Sequence, residues 1–223
     1  MGSNGISETE WSKSGQHTSF TDLDLTENGV KRMIATGKAL VGPDRMIVPE
    51  FIEKIFVSPR KRAHHTLELL MQDHKGELAK LDVETTDDAR EWDYGDYEGM
   101  KTADIRALRK SRGLDKDHDW SIWRDGCEGG ESPADITERL DRLIAKIVEI
   151  HRKAIKERRC SEVIVVAHGH ILRSFVLRWL KRPIEDNPSL ILEAGGVGVL
   201  SYEHNSCEEP AIFLGGAFHV PDV

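Results

Sequence analysis

The run Val163-Ile164-Val165-Val166-Ala167, with the polar turn His168-Gly169-His170 directly behind it, constrains this chain more than any other stretch. Five consecutive apolar residues, four of them β-branched, are too few for a helix of their own and too uniform for a strand with one wet face. They predict a strand from Glu162 to Ala167 buried on both faces, which requires a sheet with helices on both sides. The flanks supply helices. Pro133 opens a stretch in which Ile136, Leu140, Leu143, Ile144, Ile147 and Ile150 keep a helical period to about Arg158, and another helix runs from about Ile171 to Lys181.

The same alternation recurs upstream. Val30, Met33, Ile34, Gly37 and Leu40 share one face of a helix over 26–41, with Thr26 as its N-cap. Phe51 to Val57 reads as a buried strand ending at Ser58-Pro59. A helix from about Arg60 to Gln72 follows, with Ala63, Thr66, Leu67 and Leu70 inward, and then a short strand near Leu81 to Thr85. Residues 86–131 are polar and aromatic, carry Trp92, Tyr94, Tyr97, Trp120 and Trp123 with one helix near Thr102 to Lys110, and read as a small inserted cap. Strands near Leu190 to Glu193, Gly198 to Glu203 and Ala211 to Leu214 complete the pattern. The fold class is α/β with a mostly parallel sheet, in one domain over 1–223, and ligands are expected beyond the C-terminal strand ends.

Composition narrows the partners. Lys and Arg number 31 against 39 Asp and Glu, a net charge of −8, which argues against nucleic acid as the main partner. A small anionic substrate feels its pocket rather than this total. Cys127, Cys160 and Cys207 are odd in number, without CxxC spacing, and read as reduced thiols. No apolar run approaches the ~20 residues of a membrane span, so no membrane partner is expected. Met1 to Glu8 has neither a basic nor an apolar signal region, which points to a cytoplasmic location.

Three predicted strands end in unusual polar clusters: Ser58-Pro59-Arg60-Lys61-Arg62, Arg90-Glu91-Trp92-Asp93-Tyr94-Gly95 and His168-Gly169-His170. An arginine fork suits phosphate, a histidine followed by glycine can approach a small ligand, and a glutamate among aromatics can be raised into a general acid. Taken singly, the arginine pair reads as solvated charge, Glu91 as a surface acid and His168 as a structural histidine. Together they read as phosphoryl chemistry without a Walker loop.

These segments resemble the histidine phosphatase superfamily, with its phosphoglycerate-mutase-like fold. Ser58-Pro59-Arg60-Lys61-Arg62-Ala63 is similar to the family's second arginine motif, Glu91 with Tyr94-Gly95 and Glu98-Gly99 to its acid motif, and Ala167-His168-Gly169-His170 to its second histidine motif. The strings Thr9 to Gln16, Lys110 to Lys116, Ile122 to Glu128 and Asp186-Asn187-Pro188 resemble one branch, the fungal sedoheptulose-1,7-bisphosphatases. The resemblance implies a three-layer sandwich and a metal-independent phosphatase of sugar phosphates with no cofactor, sedoheptulose 1,7-bisphosphate being the favoured substrate. It implies that Arg60 and His168 grip the phosphoryl group with help from the Gly169 backbone, and that Glu91 protonates the leaving oxygen. Gln16, Thr18, Ser19 and Tyr94 would border the substrate, and Arg173 suits a second phosphate. A homo-oligomer stays open.

One departure stands at the front. Aligned on Thr9-Glu10-Trp11, the family's nucleophilic Arg-His-Gly falls on Gly5, Ile6 and Ser7, which supply neither imidazole nor guanidinium. The first, central strand of the family also has no apolar counterpart in Met1 to Asn4. Its loss would leave two ladders unpaired or make the sheet close around the gap. An inactive phospho-sugar-binding module and a phosphoglycerate mutase are the alternatives. His17 is a weak substitute nucleophile, since catalysis demands tight placement. A metal site on His64, His65, His168 and His170 is disfavoured, because adjacent histidines on a helix point in different directions.

Overall fold

The computed structural model describes residues 8–187 and 189–214, so Gly5, Ile6 and Ser7 lie outside the described residues. Within them α1 (Glu10–Ser14) opens on a capping box in which Thr9 and Ser12 satisfy each other's backbone N–H. α2 (Glu27–Leu40) begins at Thr26, whose hydroxyl accepts from the Gly29 N–H at 3.0 Å. The order continues with β1 (Ile52–Val57), α3 (Lys61–Leu70), α4 (Lys75–Leu78), β2 (Val83–Thr85), α5 (Thr102–Ser111) and α6 (Ile122–Asp125). It ends with α7 (Pro133–Glu157), β3 (Glu162–Val166), α8 (Gly169–Trp179), β4 (Leu200–Tyr202) and β5 (Pro210–Ile212). α7 starts where the sequence places it, with Ser132 and Asp135 forming the cap and Pro133 at the first helical position, where its missing N–H costs nothing.

Three strands form one parallel sheet in the order β2-β1-β3, with Ile55 opposite both Val83 and Ile164 and Val57 opposite Thr85 and Val166. β4 and β5 are a separate antiparallel pair. Side-chain alternation divides the core into two layers. Ile55, Val57 and Val166 pack with Met33, Leu67 and Leu70 from α2 and α3, whereas Phe56 packs with Ile136, Leu140 and Leu143 of α7 and with Ile171 and Phe175 of α8. The result is an α/β/α sandwich. α2 and α3 meet at Gly37, where a Cβ would lie 2.4 Å from the Leu70 carbonyl oxygen, so only glycine allows the approach. Residues 86–131 join the same core, since Trp92, Tyr94, Tyr97, Trp120 and Trp123 cluster with α7 and α8.

Two expectations are corrected. Residues 190–193 form no strand; Ile191 is 79 % exposed, and the chain there crosses α2, with the Thr36 hydroxyl donating to the Gly195 carbonyl at 3.0 Å. β3 is not buried on both faces, because Glu162 to Val165 are only half-buried. The physical reason is a cavity of about 590 Å³ that runs along β3 and is lined by Val163, Ile164 and Val165.

Candidate active site

Because β2, β1 and β3 are parallel, the loops that follow them emerge at one edge of the sheet. There Ser58, Glu91 and His168 come together. His168 occupies the N-cap position of α8 and is 5 % exposed. Its Nδ1 accepts from Arg62 Nε at 3.2 Å, and its Nε2 lies 2.7 Å from Ser58 Oγ. A guanidinium can only donate, so the neutral ring is the Nε2–H tautomer and donates to the serine. Burial, reinforced by the charges of Arg62, Arg60 and Arg139, holds the imidazole well below its ordinary range, so it is neutral near pH 7.

Arg62 is the arginine against this histidine. It is 3 % exposed and also donates to the carbonyls of Thr21, Thr18 and Ser19, at 3.0, 3.2 and 3.2 Å. Arg60, chosen from the sequence for this place, lies elsewhere: it is only partly buried, sits at the N-cap of α3, and holds its guanidinium 4.6 Å over the Phe20 ring. Helical geometry explains the difference. Arg62 lies one turn before Thr66, whose hydroxyl donates to the Arg62 carbonyl, on the face of α3 that carries the buried Thr66, Leu69 and Leu70. That spacing was legible in the sequence and would have selected Arg62.

Glu91 is held by backbone. Its Oε1 accepts from the N–H groups of Trp92 and Ile171, both at 2.9 Å, and its Oε2 from the His170 N–H at 3.1 Å. Two of these donors belong to the first turn of α8, so a carboxylate from another loop caps that helix. Burial raises the Glu91 carboxyl above its usual range against the pull of the three N–H groups. The Gly169 N–H makes no hydrogen bond among the described residues. Behind the loop, Arg139 donates to both oxygens of Glu131 at 2.9 Å and to the carbonyls of Asp88, Arg90 and Glu91, which fixes the backbone that carries Glu91.

The segment 16–21 closes over the same edge. Gln16 turns its amide to the Gly99 carbonyl at 2.8 Å, and the backbone N–H of Ser19 donates to both oxygens of Glu98 at 3.0 and 2.9 Å, joined by that of Thr21. Thr18 and Ser19 contribute carbonyls to Arg62. Tyr94, 2 % exposed, lies 2.7 Å from His170 Nδ1, with His17 edge-on to the phenol at 4.8 Å and stacked on His170 at 5.5 Å. The His17 Nδ1–H donates to the Met100 carbonyl at 2.9 Å, which leaves Nε2 as an acceptor. Arg173 donates through Nε to the Gly169 carbonyl at 3.0 Å and lies 5.0 Å over Trp123. The histidines weighed as a metal set have separate partners: Ser58 and Arg62 for His168, Tyr94 for His170, and Thr85 for His64. Ser58, Arg62, Glu98, His170 and Trp123 belong to this neighbourhood although the sequence did not single them out as site residues.

Arg60, Arg62 and Arg173 are in no ion pair among the described residues of a chain with net charge −8. Arg60 and Arg62 act electrostatically on His168, and Arg173 acts on His170 and Glu91.

The sequence of the whole chain agrees with this geometry. The model of the histidine phosphatase superfamily (branch 1) matches residues 7–212, and the chain belongs to that superfamily. A sedoheptulose 1,7-bisphosphatase of Saccharomyces cerevisiae is 44 % identical, over 96 % of this chain and 91 % of that protein. An acid phosphatase of Mycobacterium tuberculosis is 32 % identical over 88 % of this chain and 83 % of its own. A solved structure of an open-reading-frame product of the same mycobacterium superposes with a TM-score of 0.68 at 28 % identity, over 93 % of this chain and 92 % of that one.

Proposed function

We propose that this edge of the sheet binds phosphorylated sugars and, in a form of the protein that carries Arg-His-Gly in place of Gly5, Ile6 and Ser7, hydrolyses their phosphomonoesters through a phosphohistidine, with sedoheptulose 1,7-bisphosphate the favoured substrate. The observation that carries the reading is the set of three arginines without acidic partners around a buried neutral histidine. Guanidiniums without a carboxylate in salt-bridge contact at a partly closed site suit an anion, and their spread over two flanks suits a substrate with two phosphates. In this reading Arg62 and His168 border the transferring phosphoryl group, with the Gly169 N–H as a further donor and Arg60 at the mouth. Arg173 takes the second phosphate. Glu91, raised by burial, supplies the proton to the leaving sugar oxygen. The 44 % identity to the yeast bisphosphatase over nearly the whole chain supports the choice of sugar.

A second reading is favoured by one feature. Gly5, Ile6 and Ser7 carry no imidazole, so the chain as written would bind phosphorylated sugars through the same residues without forming a phosphohistidine there. Phosphate release and calorimetric binding, measured on a panel of sugar phosphates, separate the two. Turnover with phosphate release supports the phosphatase, and binding without turnover supports the binding module. Transfer of phosphate between positions of a phosphoglycerate without release would make the protein a mutase and remove both.

A further inference from the structure

His17 and His170 lie face to face, one from the segment over the sheet edge and one from the first turn of α8, with ring planes within 15° of parallel. Their partners fix which nitrogens carry hydrogen. His17 is 7 % exposed and commits its Nδ1–H to the Met100 carbonyl, so Nε2 of the neutral ring is a lone pair, without a partner among the described residues. Burial keeps the Tyr94 phenol protonated, and His170 Nδ1 is the acceptor it meets among the described residues. The neutral His170 ring therefore carries its proton on Nε2, which also has no partner there. The pair presents one acceptor and one donor.

Arg173 stands beside both rings. It lies over Trp123, whose own ring is 5.3 Å from that of His170, and its charge acts on His17 and His170 alike. The other charged groups here are two carboxylates. Glu98 acts on His17 while it accepts the N–H groups of Ser19 and Thr21, and Glu91 accepts the His170 N–H and attracts Arg173. Tyr94, Trp120 and Trp123 add neutral ring edges and faces. Burial first, and then Arg173, hold both imidazoles below their ordinary range and so neutral near pH 7.

A dianion beside Arg173 changes that balance, because it offsets the guanidinium charge and brings oxygens that can only accept. Arg173 and the His170 Nε2–H suit such oxygens. The His17 lone pair does not, since two acceptors meet with no proton between them. A proton on His17 Nε2 turns the one mismatched group into a charged donor.

We propose that His17 takes up a proton from solvent when a dianion binds beside Arg173, so that this site holds its anion more tightly as the pH falls toward 6. The proposal rests on the reading of Arg173 as an anion contact. No bond to the anion forms, and the proton returns to solvent when the anion leaves. By reciprocity the bound anion raises the proton affinity of His17 by the same factor as the proton raises that for the anion.

Sulfate is the probe, because it stays a dianion throughout the physiological range and any proton taken up must go to the protein. Calorimetric titration in two buffers of different ionisation enthalpy counts the protons bound with it. At least about half a proton per sulfate is expected near pH 6.5, with affinity falling at least about threefold for each unit of rising pH. His17→Asn, which keeps an amide donor for the Met100 carbonyl, should abolish the uptake and flatten the profile. Nitrogen NMR of the parent protein should show His17 Nε2 becoming protonated at saturation, a measurement that does not depend on the variant folding. Sulfate binding without proton uptake, uptake retained in a folded His17→Asn protein, or an unprotonated His17 Nε2 at saturation would overturn the proposal while the reading of Arg173 stands. Absence of sulfate binding, or binding unchanged by Arg173→Met, would remove both.

Discussion

Replacing Arg62 by methionine should damage the protein far more than replacing Arg60 by alanine, although the two arginines are separated by one residue. Arg62 donates four hydrogen bonds from a position 3 % exposed: to His168 Nδ1 and to the carbonyls of Thr18, Ser19 and Thr21. Each acceptor left without a donor in a buried setting costs about 1–3 kcal/mol. Water entering from the segment 16–21 relieves part of this, and we take about 3 kcal/mol for the sum. In a domain of this size that corresponds to a fall in Tm of about 6–12 °C. Arg60 offers only its stacking over Phe20, worth about 0.5–1 kcal/mol at an exposed site, or a few degrees at most. Thermal unfolding followed by circular dichroism, with and without saturating inorganic phosphate, reads both terms. Phosphate at about 100 times its dissociation constant should add about 2.7 kcal/mol to the parent protein and nothing to Arg62→Met. An Arg60→Ala variant as destabilised as Arg62→Met, or an Arg62→Met variant that phosphate still stabilises fully, would refute the assignment.

Glu131→Gln should cost about 3–5 kcal/mol in urea unfolding, because it leaves the buried Arg139 guanidinium without its charge partner. Gly37→Ala should cost about 1–3 kcal/mol by the same assay, since the new methyl group meets the Leu70 carbonyl. Stability should also fall with acid. His17, His168 and His170 all have folded pKa values lowered by burial, so their contribution is complete above an unfolded value of ~6.5 and is lost as pH falls toward the folded values. Each histidine still neutral in the fold costs about 1.4 kcal/mol per pH unit below that point, which for the two most strongly shifted gives about 2–3 kcal/mol between pH 7 and 5.5. Glu91, raised by burial, acts with the opposite sign as pH falls through its own folded value, one group against these two. A flat profile in urea midpoints over this range would contradict the neutral, buried state of His168.

What the sequence made legible follows from period and position. α2, α3, α7 and α8 carry apolar residues at helical spacing, the cap of α2 at Thr26 stands where side-chain chemistry puts it, and Pro133 opens α7. His168, Gly169 and Glu91 could be chosen because polar residues directly behind strands converge in a parallel sheet. The misplacement of Arg60 has a local cause: both arginines open the same helix, and the inward face of α3 decides between them. Glu98 holds Ser19 and Thr21 through their backbone N–H groups, a contact across some eighty residues with no pattern in the chain. Residues 190–193 read as a strand from their apolar content, but apolar content does not say whether a ladder partner exists, and here the segment passes over α2 instead. The half-burial of β3 was hidden for the same reason, because it depends on what lies beside the strand and not on the strand.

The measurement that tests the central claim most directly is phosphate release from sedoheptulose 1,7-bisphosphate by a chain repaired at the front. The repaired chain carries about five β-branched residues ahead of the triple change Gly5→Arg, Ile6→His and Ser7→Gly, and it is compared with the same chain bearing His168→Ala. The account predicts that the repaired chain releases phosphate, that the triple change without the added strand leaves it nearly inactive, and that His168→Ala lowers the rate by about 10²–10³, the scale of one lost donor at a developing charge. A folded, repaired chain that releases no phosphate, or one whose rate is unchanged by His168→Ala, would contradict it.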